Sequence, residues 1–176
     1  MKIHGKIIEG PAEEIIVFPR QSGDICFKAK AVLDYTDFEK ACPVPEPPEV
    51  LRPGGIKSRD PNDPKYLGQI EEWAEHKSHW MILKSLEATD GLEFESVDMS
   101  DPSTWGNFKD ELTRAGFSQA DQGRLVTMVS TANGLNEAKI EEATQRFLAD
   151  QEAMRKDAAS PSSEPRNTQS GELASA

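Results

Sequence analysis

The chain has 176 residues and a formal net charge of −11, with 36% hydrophobic and 29% charged residues, which allows one compact domain, or a small domain with an appendage and a tail. So acidic a surface argues against a nucleic-acid partner, because binding a polyanion relies on Lys and Arg displacing condensed counterions; it suits a protein that keeps a sticky partner soluble. Cys26 and Cys42 lack CxxC spacing and predict free thiols, while charges interrupt every apolar run, so neither a signal peptide nor the roughly 18 apolar residues of a membrane span is expected.

The first third of the chain reads as β-rich. Ile7 and Ile8 precede a Gly10-Pro11 break, and Ile15-Ile16-Val17-Phe18 leads through Pro19 to a Ser22-Gly23-Asp24 turn. Ile25, Phe27, Ala29, Ala31 and Leu33 then alternate with polar residues, so a β-hairpin with one buried face is expected. Thr36 and Glu39 stand at capping-box spacing, and a short helix should run to about Ala41. Cys42-Pro43-Val44-Pro45-Glu46-Pro47-Pro48 and Pro53-Gly54-Gly55 exclude a helix or a central strand, and read as an extended arm or spacer more readily than as an SH3 ligand.

Asp63 as N-cap and Pro64 at the first helical position open the longest expected helix, which continues to about Ala88. Tyr66, Ile70, Trp73, Trp80 and Leu83, widened by Leu67, Ala74, Met81 and Leu86, give it a broad apolar face. Residues 92–97 alternate, and are either a short strand or an irregular crossing. A helix capped by Ser100 or Asp101 should present Trp105, Phe108 and Leu112 and stop at Gly116. The next starts near Ser118 and Asp121, presents Leu125, Val126 and Val129, and ends at Gly134. Asn136 caps the last, in which Leu135 and Ile140 form a staple and Ile140, Ala143, Phe147 and Leu148 a core face. From Asp157 a single Leu and no aromatic residue predict disorder.

The expected fold class is therefore α+β, mainly α. Residues 1–42 form a β-rich part with a short helix, 43–62 a proline-rich linker, 63–156 a four-helix domain and 157–176 a disordered tail.

Nucleophile-elbow, P-loop and dinucleotide motifs are lacking, and paired carboxylates are expected by chance among 31 acidic residues. Glu72, His76 and His79 share a helix face and define one alternative, a metal-dependent enzyme; they lack the HExxH order and a fourth ligand, so a solvated polar face is the plainer reading. A helix-turn-helix over Phe117–Phe147 would place Glu137, Glu141 and Glu142 against a phosphate-lined groove, the wrong charge for it. The three helices from Pro102 to Leu148 give a second alternative, a ubiquitin-associated-like adaptor module. Trp73 and Trp80 are large enough to anchor a core or an interface, with the core as the default.

Four phrases, VFPRQSGDICFKAKAVLDYTDFEKACPVPEPP, DPKYLGQIEEWAEHKSHWMILKSLE, VDMSDPSTWGNFKDELTRAGFS and NGLNEAKIEEATQRFLADQ, resemble in order and spacing the tail assembly chaperones of long-tailed bacteriophages and prophages. The likeness spans roughly Ile15 to Gln151. It implies a non-enzymatic helper, without cofactor or metal, acting in the host bacterial cytoplasm and absent from the mature virion. Its implied partners are the tape measure protein and tail tube subunits, and such helpers are often made in two lengths by frameshifting. On this reading the face bearing Trp73, Trp80 and Met81, or that of Leu125 and Val129, meets the partner, and the proline arm gives reach.

Overall fold

A computed structural model of the chain describes residues 1–3, 5–7, 11–53, 55–135 and 137–159; the tail expected to be disordered falls outside these from residue 160 onward. The fold is α+β, mainly α: six short strands in three antiparallel hairpins, and five helices. Strands β1 (Lys2–Ile3) and β2 (Lys6–Ile7) pair first, and β3 (Glu13–Phe18) and β4 (Ile25–Lys30) form the expected hairpin. Ile16 and Phe18 of β3 lie opposite Phe27 and Ile25 of β4, so alternation sends Ile16, Phe18, Phe27 and Ala29 into the core. β4 ends at Lys30, short of the alternating pattern, and Leu33 is exposed.

Helix α1 (Thr36–Ala41) forms without the expected capping box. The Asp34 carboxylate instead accepts from both the Thr36 amide (2.9 Å) and the Thr36 hydroxyl (2.6 Å), which takes that hydroxyl away from Glu39. The proline-dense stretch is not wholly an arm. It contains a hairpin of β5 (Glu49–Arg52) and β6 (Ile56–Arg59), because Pro53 and the positive-φ Gly55 supply the turn that the prolines on either side do not obstruct.

Helix α2 (Pro64–Leu86) starts as its sequence dictates, with the Asp63 carboxylate accepting from the Tyr66 amide at 2.9 Å. Its apolar face is buried only from His79 to Leu86; Tyr66, Ile70 and Trp73 are half-buried and Leu67 is exposed. Residues 92–97 are an irregular crossing. The Glu111 carboxylate holds it by accepting from the Glu95 amide (2.9 Å), the Ser96 amide (2.6 Å) and the Ser96 hydroxyl.

Asp101 caps a 3-10 turn (Pro102–Asn107) that runs into α3 (Phe108–Arg114). Ser118 and Asp121 close a full capping box on α4 (Gln119–Ala132). Both helices stop at the predicted glycines. Gly116 (φ 84°) and Gly134 (φ 70°) take the left-handed turn, and Phe117 and Leu135 donate back to the carbonyls of Leu112 and Ser130, each at 2.9 Å.

One core serves β3, β4 and α1–α4. Packing α2 on β4 and α4 on β3 surrounds Trp105, Phe38, Phe108, Leu86, Leu125 and Val129, all at most 1% exposed. Phe18, Phe27 and Phe117 meet edge to face with centroids 5.3–5.8 Å apart. The expected division at the proline linker is therefore not where the chain divides: residues 1–136 form one compact unit, because the hairpin's apolar face has only these helices to cover it, and 137–176 form a second. The second unit contains α5 (Glu137–Ala159), which extends past the expected fraying point. The residues of its predicted core face are exposed: Ile140, Phe147 and Leu148 at 51%, 60% and 54%, and Ala143 too.

Candidate partner-binding surface

Four of the five residues expected to meet a partner are core residues. Trp80, Met81, Leu125 and Val129 are 2%, 8%, 1% and 0% exposed, so neither predicted face is open. The reason is that α4 packs on β3, while α2 packs on β4, on α4 and on the 3-10 turn, so the two faces are taken up inside the core. Trp80 packs against Tyr35 and Phe38, with centroids 5.5 and 5.7 Å away. Trp73 alone reaches the surface. Its indole N–H donates to the Cys42 carbonyl at 3.0 Å, its ring stacks near Phe38, and Lys77 Nζ lies 5.1 Å above it.

The polar face read as a possible metal site is drawn apart. His79 is buried, with its ring edge-on to Phe108 at 5.6 Å and Nε2 3.6 Å from Glu75. Burial, and then Lys109, hold its imidazole below the usual range despite the Glu75 carboxylate. His76 turns the other way, its ring edge-on to Trp105 and Nδ1 3.9 Å from the Cys42 thiol. Burial and the Glu72 carboxylate raise that thiol's pKa, so it is not an activated nucleophile. Among the described residues no three metal-competent side chains converge.

The apolar surface that does face solvent is on α5. Ile140, Phe147 and Met154 recur every seven residues, with Ala143 and Leu148 flanking them, and Met154 is 71% exposed. Thr144 lies within this stripe, but its hydroxyl donates to the Ile140 carbonyl at 2.8 Å and so presents its methyl group. Glu142, Gln145 and Arg146 lie on the other side, and Asp150 and Glu152 border the stripe. The sequence carried the signal in its seven-residue spacing, but Ile140 and Phe147 resemble core positions until the preceding helices prove to have filled one another's apolar faces.

Among the described residues no helix is long and apolar enough to cross a membrane. No protein-family model, no curated protein and no solved structure matches the chain.

Proposed function

We propose that this chain is a non-enzymatic tail assembly chaperone of a long-tailed bacteriophage, one that binds the tape measure protein in the host cytoplasm and helps to recruit tail tube subunits. The observation that supports this best is the uncovered apolar stripe of α5, 23 residues long, in a chain of net charge −11. A client that is itself a long helix offers matching apolar stripes before the tube encloses it, and pairing by i, i+3, i+4 and i+7 anchors is how an amphipathic helix takes a helical partner. The acidic surface keeps such a complex soluble until the tube subunits displace it.

The reading differs from the sequence expectation in the element that binds: α5 replaces the faces of α2 and α4. Coexpression with tape measure and tail tube proteins of a long-tailed bacteriophage, followed by size-exclusion chromatography, tests both points. Co-migration is expected at gentle salt, and Phe147→Glu should abolish it while leaving the circular dichroism and melting of the chain unchanged. Absence of co-migration of the unaltered chain would discard the function; co-migration insensitive to Phe147→Glu would discard the role of α5.

A further inference from the structure

The two edges of the β3–β4 hairpin are unequal. On β4 the Lys28 amide donates to the Thr89 hydroxyl at 2.8 Å, that hydroxyl lies 3.0 Å from the Lys28 carbonyl, and the Lys30 carbonyl accepts from Ser85 at 2.6 Å. Lys28 and Lys30 therefore turn their peptide groups away from β3, toward side chains that close this edge. In an antiparallel ladder such pairs alternate with hydrogen-bonded ones, so their partners Ile15 and Glu13, and by the same alternation Val17, turn theirs outward from β3. The Ala31 amide, which donates to the Ala12 carbonyl at 2.8 Å, belongs to the inward set, as this assignment requires.

Among the described residues no strand lies along the outer side of β3, and no hydrogen bond reaches the outward peptide groups of Glu13, Ile15 and Val17. The side chains of Ile15 and Val17, 61% and 36% exposed, stand beside Cys26 on the uncovered face of the hairpin. An unpaired edge whose Ile15, Ile16 and Val17 are β-branched and apolar is a template for another strand, with Glu13 and Glu14 at one end the charges that a partner has to accommodate.

We propose that this edge pairs with the same edge of a second copy of the chain, joining two hairpins into one four-stranded antiparallel sheet about a two-fold axis at Ile15. Two features select that occupant. Thr89 and Ser85 occupy Lys28 and the Lys30 carbonyl, which leaves β4 only the outward groups of Cys26 and the Lys30 amide, too interrupted a row for a strand to pair with, so self-pairing through β3 ends at two copies instead of running on into a fibre. The outward set is also symmetric about its middle member. Setting Ile15 on its counterpart puts Glu13 opposite Val17 and Glu14 opposite Ile16, so no carboxylate faces its own copy, and about six backbone hydrogen bonds form. This pairing does not depend on the proposed function.

The test is sedimentation of the full chain across a dilution series, combined with amide hydrogen exchange. The unaltered chain should be dimeric when concentrated, and the Ile15 and Val17 amides should exchange about tenfold or more slower there than in the dilute monomer. Ile15→Lys sets two ammonium groups against each other at the axis while leaving the hairpin's own ladder intact, and should give a monomer. Phe147→Glu on α5 should leave the dimer unchanged. A monomer at every concentration with fast Ile15 and Val17 amides overturns the proposal, as does a dimer that survives Ile15→Lys. Protection of these amides that arises only when another protein is added would assign the edge to a foreign strand and overturn it too. If Ile15→Lys does not fold, the exchange measurement on the unaltered chain decides.

Discussion

Trp80 separates two roles that its sequence allows equally. As an interface anchor its loss would weaken binding alone; as a core residue at 2% exposure its loss destabilises the fold. A buried tryptophan removes about 150–250 Å² from water, and at about 25 cal/mol/Å² that is about 4–6 kcal/mol. Alanine keeps a little of it, and measured truncations of this kind cost about 3–5 kcal/mol. The ring borders a shallow open groove lined by Ala41, Lys84, Met99 and Ser100, whose side chains have room to settle into the space left behind. We therefore expect Trp80→Ala to cost about 3–4 kcal/mol, in the lower part of that range. Urea unfolding followed by tryptophan fluorescence, with Trp73 and Trp105 still present as reporters, measures it as a shift in midpoint at constant slope. A loss below about 1 kcal/mol would refute the placement of Trp80 in the core.

Asn133→Ala should cost about 1–3 kcal/mol in the same assay, because it strips the Val32 amide of its acceptor, 2.8 Å away, and leaves buried Ser85 without the Asn133 amide. Phe147→Ala, by contrast, should change stability by less than about 0.5 kcal/mol, since its ring is exposed. Stability should fall on acidification in two stages. His79 is held neutral below its ordinary value of 6.5, so the unfolded chain takes up its proton first and stability declines as pH drops below that value; His79→Gln should flatten this stage. The second stage comes from carboxylates whose pKa is lowered by hydrogen bonds: Asp34 from Thr36, Asp98 from Ser100 and Asp121 from Ser118. For Glu111, burial pushes upward and the bonds from Ser96 and Glu95 outweigh it. These groups stabilise the fold above their unfolded values of 3.8 and 4.5, and that contribution disappears below them, as thermal melts between pH 7 and pH 3 will record.

Local signals in the sequence proved legible where a side chain and its backbone partner are close in the chain. Asp63 before Pro64, Ser118 before Asp121, and the stops at Gly116 and Gly134 are each settled within one helical turn. Assigning apolar faces to partners was harder, because Trp80, Leu125 and Phe147 carry no mark of which neighbour covers them. The β3–β4 hairpin claimed the faces of α2 and α4 across 50 or more positions of chain, which periodicity does not encode. The β5–β6 hairpin was hidden for a different reason: Pro43 to Pro48 dominated the reading of a segment whose Pro53 and Gly55 make an ordinary turn. Asp34 taking the Thr36 hydroxyl shows the same competition over two residues.

Asn133 joins the end of α4 to the second residue after β4 through Val32, and to α2 through Ser85, one residue before the glycine that stops the helix. Among the described residues the buried core extends no further along the chain than Ala132. During synthesis, then, every residue of this buried core is available once the asparagine has left the ribosome. Changes of sequence within α5 leave every residue of this core in place, and selection there is free to act on what the helix meets.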